Sequence, residues 1–131
     1  MDYASSLLGL LPGRGRTPGL KELLARVSYL PAEQVARIEA AAEFGAEAHQ
    51  GQKRLSGEPY ISHPVAAAEI LADLHLDADT IVAAILHDVI EDTPTPKEEI
   101  ATRFGKDVAE IVDGVTKLDQ IRFKNRKEAQ A

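Results

Sequence analysis

The chain has 131 residues, of which 44% are hydrophobic and 5% aromatic, and its formal net charge is −6. This length is typical of one domain, and the apolar fraction is too high for a chain that remains unfolded. The acidic balance argues against a general nucleic-acid-binding protein, which is normally basic. The chain has no cysteine, so disulfides and thiolate metal sites are excluded. We therefore expect a cytoplasmic protein without a nucleic-acid partner.

The first 18 residues differ in character from the remainder. They are rich in serine, glycine and proline and show little periodicity, which predicts a flexible lead segment over 1–18 followed by one domain over 19–131. Their apolar run, Leu7–Leu11, is too short to span a membrane and does not follow a basic segment. Neither a membrane partner nor a secretory signal is expected.

Apolar residues recur every three or four positions from Leu20 onward, which is the spacing of helices. The runs predict helices from Leu20 to about Leu30, from Pro31 to about His49, and from Pro64 to about Leu74. In the third helix the residues expected to face inward are Val65, Ala68, Leu71 and Leu74. Between the second and third helices, residues 50–62 carry two glycines and a proline, and this predicts a loop.

The second half of the chain predicts further helices and no strand. Residues 81–90 are apolar on nearly every side except at His87 and Asp88, as in a helix that lies in a core, and Asp77 suits its N-cap. Thr95–Glu98 has the pattern of a capping box, with Pro96 at the first helical position of a helix that ends at Gly105. The final helix is marked by Val108, Ile111, Val112 and Val115. No run alternates with period two, so we expect an all-α helical bundle.

The most informative residues are His87 and Asp88, which interrupt this apolar run. A buried carboxylate needs a hydrogen-bonded partner or a cation, because burying it unpaired costs several kcal/mol. Glu91 and Asp92 follow one turn later, so an H-D-x-x-E-D run would place one imidazole and three carboxylates on one side of a single helix. This mixed nitrogen and oxygen set suits Mn²⁺, Fe²⁺, Co²⁺ or Zn²⁺.

Other interpretations of these polar residues remain open at this point. An isolated His-Asp pair is more often a hydrogen-bonded or surface pair than a metal site. A histidine beside a proline at a helix start, such as His63, is more often a cap or surface residue, whereas His49 and His75 have the character of ordinary helix-end and loop residues. Lys53 and Arg54 are either a solvated basic pair or a clamp for a phosphate or a base.

Three separated blocks resemble the RelA/SpoT family, in the order in which that family has them. HQGQKRLSGEPYISHP at 49–64 is similar to the opening signature of its hydrolase domain, ILHDVIEDT at 85–93 to its HDxxED signature, and FGKDVAEIVDGVTKL at 104–118 to the stretch that follows. The resemblance covers roughly residues 30–130. It implies the N-terminal part of an all-α HD-domain helical bundle and a Mn²⁺-dependent hydrolase, although another divalent metal ion would also fit.

The resemblance also implies roles for individual residues. His63, His87 and Asp88 would be metal ligands, and Glu91 and Asp92 would orient or activate the attacking water. Arg54, with Ser56 nearby, would contact the guanine nucleotide, while Leu55 stands where the family often has a basic residue. The implied reaction removes the 3′-pyrophosphate from (p)ppGpp, giving GDP or GTP and pyrophosphate in the stringent response.

The family's fourth ligand is an aspartate from a later helix, which would lie beyond Ala131. The resemblance therefore implies a fragment of a longer protein that would be weakly active or inactive alone and would self-associate through apolar surface left bare. Two rival functions remain: another HD-type nucleotide phosphohydrolase, and a non-catalytic regulatory or interaction module. The loop Gln52–Ile61 favours the (p)ppGpp class over other HD phosphohydrolases, and retention of the site residues in this span argues against a non-catalytic module.

Overall fold

The computed structural model describes the backbone of residues 17–130 and the side chains of residues 17–118 and 121. The predicted lead segment therefore lies almost wholly outside the described residues. The described part contains seven helices: α1 Leu20–Arg26, α2 Ala32–Ala48, α3 Ser62–Asp73, α4 Ala78–Leu86, α5 Val89–Asp92, α6 Lys97–Phe104 and α7 Lys106–Gln130. It contains no strand, only one isolated bridge between Lys53 and Pro59, so the all-α prediction is confirmed.

Helix α4 lies at the centre of the bundle. It packs against α2, α3 and α7, and Ile81, Val82, Ile85 and Leu86 are fully buried. Gly45 lets α2 approach the residue before α3 closely, because a Cβ at this position would lie 2.9 Å from Ile61 Cδ1, while Ile85 Cγ2 of α4 would be at an ordinary contact distance of 3.7 Å. The predicted core helix is thus confirmed, and its surroundings position the residues that follow it.

The helix predicted over 81–90 is not continuous. Helix α4 ends at Leu86, His87 and Asp88 form a turn, and α5 is a separate four-residue helix. The expectation that the HDxxED residues share one side of a single helix is therefore wrong. The backbone hydrogen bond from Asp92 N–H to Asp88 O, at 2.9 Å, nevertheless keeps one-turn spacing between these two residues.

Two further local predictions are wrong. Leu74 is 65% exposed, because α3 ends at Asp73 and the chain turns away through His75, which has a positive φ of 57°. The capping box does not form: Pro96 precedes α6, and the Thr95 hydroxyl accepts a hydrogen bond from Thr93 Oγ1 at 2.9 Å. The reason is register: Pro96 occupies the N-cap position before Lys97, so Thr95 lies one residue too early to cap the helix.

The N-cap predicted at Asp77 is confirmed. Its carboxylate accepts hydrogen bonds from Thr80 N–H at 3.2 Å and from Thr80 Oγ1 at 2.7 Å. The side-chain bond from Thr80 is the main reason that the pKa of Asp77 lies below its usual range. The ionised carboxylate therefore favours the folded state.

Replacing Asp77 by alanine is expected to lower the free energy of unfolding by about 1 kcal/mol at neutral pH. Because folding lowers this pKa, the advantage of the charged cap is complete above the unfolded-state pKa of about 4 and is lost as the pH falls through the lower folded-state value. Urea unfolding at a series of pH values would measure this. Asp77→Asn is the matched control, since it keeps a capping oxygen without the titration. A gap between wild type and Asp77→Asn that stays constant down to pH 3 would contradict the assignment.

Candidate metal centre in the HD motif

His87 and Asp88 form a close and largely buried pair at the turn between α4 and α5. Their side chains are 24% and 14% exposed, and His87 Nε2 lies 3.1 Å from Asp88 Oδ2. The other ring nitrogen, Nδ1, lies 2.7 Å from Ala84 O. A carbonyl oxygen can only accept, so Nδ1 carries the proton, and in the neutral ring Nε2 holds a lone pair.

The distance between these two atoms shows whether the pair suits a metal ion. Two electron-rich atoms 3.1 Å apart repel each other unless a positive charge lies between or beside them. Either a second proton on the imidazole or a metal ion supplies that charge. Adjacent ligands at right angles with bonds of about 2.1 Å would lie about 3 Å apart. The pair therefore fits two neighbouring positions around a divalent ion.

Tyr60 completes the surroundings of Asp88 from the loop before α3. Its hydroxyl donates a hydrogen bond to Asp88 Oδ2. Burial opposes ionisation of Asp88, but two hydrogen bonds outweigh it, one from His87, which requires the second proton on its imidazole, and one from Tyr60. The pKa of this carboxyl therefore lies below its usual range. Burial and the bond to Asp88 raise the pKa of Tyr60, while the positive charge of Arg54 acts in the opposite direction. Asp88 is therefore held ionised and oriented, as a metal ligand must be.

The other predicted ligand, His63, lies on α3. It is exposed in the first turn of that helix, and its backbone N–H donates to Tyr60 O at 3.1 Å. Among the side chains that the structure describes, residues 17–118 and 121, no three histidine, aspartate or glutamate residues are grouped in an arrangement that could hold a metal ion. The structure thus brings His87 and Asp88 together, and the three-residue ligand set remains a prediction.

Glu91 and Asp92 are both exposed on α5, one turn beyond the His-Asp pair. The backbone carbonyl of Asp92 accepts a hydrogen bond from Gln52 Nε2 at 3.0 Å. Glu91 likewise takes part in an interaction with the rest of the folded chain. Their exposure leaves the two carboxylates within reach of water, and their role in activating it remains a prediction.

Arg54 and Ser56 lie at the tip of a hairpin-like loop. The Arg54 carbonyl accepts from Gly57 N–H at 2.8 Å, and the Arg54 N–H donates to Glu58 O at 2.9 Å. Gly57 has φ +90°, which a residue with a side chain rarely adopts. Arg54, Leu55 and Ser56 are all exposed at this tip. The predicted nucleotide contacts are therefore presented to solvent on the loop that also carries Tyr60.

His49 and Tyr60 are the functional candidates that the residue pattern did not single out. His49 is only 2% exposed, its ring lies 4.6 Å from that of Tyr60, and its Nε2 has no hydrogen-bond partner among the described residues. The signal for His49 was present in the sequence, because it continues the buried stripe of Ile38, Ala42 and Gly45 at helical spacing. No periodic pattern pointed to Tyr60, because it lies in an irregular loop.

A cavity of about 390 Å³ opens beside His49 and Tyr60. None of the predicted metal or catalytic residues lines it, and neither do Arg54 and Ser56, although Lys53, the other residue of the possible clamp, does. It is therefore separate from the His87–Asp88 pair, although Tyr60 contacts both.

Comparison with known proteins indicates the family of the chain. The HD domain family model matches residues 41–131, which is more than half of the chain. The bifunctional (p)ppGpp synthase/hydrolase SpoT of Escherichia coli K12 is 55% identical over 104 residues, covering 79% of this chain and 15% of the relative. The proteins named guanosine-3′,5′-bis(diphosphate) 3′-pyrophosphohydrolase of Haemophilus influenzae and Aquifex aeolicus are 62% and 47% identical over 84 and 107 residues.

These two alignments cover 64% and 82% of this chain, but 12% and 15% of the relatives. The chain thus spans about 15% of the length of the curated relatives that it matches. Within the described residues, no helix combines the length and hydropathy that a membrane span requires. The family match and the similarity to these relatives confirm the resemblance. The chain therefore belongs to the HD-domain family, and its HD region is of the RelA/SpoT type.

Proposed function

We propose that this chain carries part of the active site of a metal-dependent hydrolase that removes the 3′-pyrophosphate from (p)ppGpp. The observation that carries the proposal is the largely buried His87–Asp88 pair, whose imidazole nitrogen and carboxylate oxygen lie 3.1 Å apart, the spacing of two neighbouring ligands of a divalent ion. The relatives named as 3′-pyrophosphohydrolases support the substrate class. Because (p)ppGpp is an intracellular nucleotide, the proposal includes a cytoplasmic location.

In this proposal His63, His87 and Asp88 hold a divalent ion, which we propose to be Mn²⁺. A bound ion of this kind polarises a phosphoryl oxygen and lowers the pKa of its water. The ligand set would be completed by an aspartate beyond Ala131, as the resemblance implies. Tyr60 and the turn at 87–88 keep Asp88 ionised and oriented before any ligand arrives.

Glu91 and Asp92 accept the proton of the attacking water in this scheme. The water oxygen bonds to the phosphorus attached at the ribose 3′ position, and the bond from that phosphorus to the 3′ oxygen breaks. The 3′ oxygen leaves with a proton, so the products are GDP or GTP and pyrophosphate. The exposure of both carboxylates on α5 is compatible with this exchange of protons with solvent.

The direct test is hydrolysis of ppGpp in Mn²⁺ by this chain and by a form extended past Ala131. We expect GDP and pyrophosphate in equal amounts from the extended form, much slower turnover by the chain alone, and no turnover after metal removal by a chelator. His87→Gln should abolish the activity. A panel of a dNTP, a nucleoside monophosphate and a cyclic dinucleotide separates the rival HD activities. Preferential turnover of one of these, or none at all in either form, would overturn the proposal.

Replacing Arg54 by alanine is expected to weaken ppGpp binding more than metal binding. A charge-assisted contact to a phosphate is worth roughly 1–3 kcal/mol, so the KM should rise about 5- to 150-fold while Mn²⁺ affinity stays within about twofold. Steady-state kinetics and Mn²⁺ titration would measure the two effects. Lys21→Ala, which removes an exposed positive charge from α1, is the matched control. Unchanged kinetics in Arg54→Ala would indicate a solvated side chain instead.

A further inference from the structure

The short helix α5 is tied to the loop before α3 by a chain of side-chain hydrogen bonds. Gln52 Nε2 donates to Asp92 O at 3.0 Å, at the end of α5 where a carbonyl lacks a helical partner. The Gln52 side-chain oxygen lies 3.0 Å from His49 Nδ1. One amide side chain therefore joins a buried histidine of the α2 terminus to the segment that carries the predicted catalytic carboxylates.

These contacts assign the direction of each hydrogen bond. Asp92 O can only accept, so the amide nitrogen of Gln52 faces it and the amide oxygen faces His49. His49 Nδ1 must then be the donor. In the neutral ring Nε2 is left as a lone pair, and it has no partner within the described part of the chain. The contacts thus depend on one tautomer of His49.

Helix α5 depends on such contacts because it is a single turn. A four-residue helix has too few internal hydrogen bonds to hold its own position, so packing and tertiary bonds decide where its residues lie. Val89 anchors one side of α5 in the core. Gln52 holds the carboxyl end of α5 through its hydrogen bond to Asp92 O. Tyr60 donates a hydrogen bond to Asp88, just before α5, and the ring of Tyr60 packs on that of His49.

We propose that His49 and Gln52 form a positioning pair that holds α5 in place, so that Asp88 and Asp92 keep the orientation the metal site requires. His49 is 2% exposed and lies outside the predicted ligand set, so it acts through Gln52 and Tyr60. The consequence for metal binding rests on the proposed function, whereas the positioning of α5 does not. The two are therefore measured separately.

The first measurement needs no metal. Gln52→Met keeps the length of the side chain and removes both hydrogen bonds, and amide hydrogen exchange of the full chain reports on α5. We expect exchange at Asp92 and Thr93 to accelerate about five- to tenfold, with little change in α2 and α4. Gln50→Met is the matched control, because Gln50 is an exposed glutamine two residues away in the same loop. No acceleration, or equal acceleration throughout the chain, would refute the pair.

The second measurement separates the two nitrogens of His49. Asparagine places its amide nitrogen where the ring has Nδ1, whereas glutamine places it near Nε2. His49→Asn should therefore retain the bond to Gln52, and His49→Gln should lose it, at comparable cost in packing. Imidazole ¹⁵N shifts of the metal-free wild type should show His49 protonated at Nδ1. The other tautomer would contradict the assignment.

Mn²⁺ titration of the same variants tests the consequence for the site. We expect His49→Gln and Gln52→Met to bind Mn²⁺ about 10- to 100-fold more weakly than wild type, and His49→Asn to remain within about threefold. Equal affinity in all variants would show that the pair does not position the ligands. Failure of the wild type to bind Mn²⁺ would instead count against the proposed function, while the exchange data would still decide whether the pair holds α5.

Discussion

Replacing Glu91 by glutamine and Asp92 by asparagine together is expected to reduce ppGpp hydrolysis by about 10²- to 10⁴-fold, the usual contribution of general acid–base catalysis. Both carboxylates are exposed one turn beyond the His87–Asp88 pair, where they can take a proton from water without being ligands themselves. The amides keep the shape of the side chains and remove only the charge and basicity. Mn²⁺ affinity should therefore fall far less than turnover.

The experiment compares kcat and Mn²⁺ affinity in the form of the protein that shows measurable turnover. Glu98→Gln with Glu99→Gln is the matched control, since it removes two adjacent negative charges from the first turn of α6. That control should leave turnover within about threefold of wild type. Near-parent turnover in the Glu91 and Asp92 double variant would remove both residues from the mechanism. A parallel loss of metal and activity would make them ligands instead.

Replacing Ile85 by alanine is expected to lower the free energy of unfolding by about 2–5 kcal/mol, a large part of the stability of a small domain. Ile85 is fully buried on α4, and its Cγ2 faces α2 near Gly45. Removing three methyl or methylene carbons there leaves a cavity, because helices that pack on several sides cannot all close over it. The same helix leads into His87, so loosened packing should also broaden the positions of the metal-site residues.

Urea unfolding monitored by circular dichroism would measure the loss. Ile70→Ala is the matched control, because it makes the same chemical change at a position of α3 that is 64% exposed. That variant should lose less than about 1 kcal/mol. Similar losses in the two variants would show that α4 is not the centre of the core.

The predictable part of this fold consists of features that neighbouring residues specify. Periodicity and local capping chemistry account for the helix over 32–48, the helical segment around Val108–Val115, the cap at Asp77 and the end of α6 at Gly105. The all-α class follows from the absence of alternating runs. The family could also be recognised before the structure, because three motif blocks occur in order and the HD domain match covers them.

Contacts between distant segments decided the features that local pattern misjudged. The apolar run at 81–90 predicts one helix, but the chain turns at His87 and Asp88, where the aspartate receives a hydrogen bond from Tyr60, 28 residues earlier. The capping box, by contrast, fails locally, because Pro96 and not Thr95 occupies the N-cap position of α6. A hydrogen-bonding side chain takes the partner that the fold brings closest, and residue spacing along one helix does not contain that information.

Some features of the candidate site could likewise be predicted from the sequence, whereas others depended on the fold. Residue types and spacing were enough to single out His87, Asp88, Glu91 and Asp92, because several polar groups beside a buried apolar run require a cation or a partner. The role of His49 depended on the fold: Gln52 connects it to Asp92, 43 residues later, and both contacts arise only when α2, the loop and α5 meet. Periodicity reports which face of a helix is buried, whereas the partner of a buried polar atom is set by packing between elements. Tertiary structure alone therefore decided which nitrogen of His49 donates a hydrogen bond and which contacts keep α5 in position.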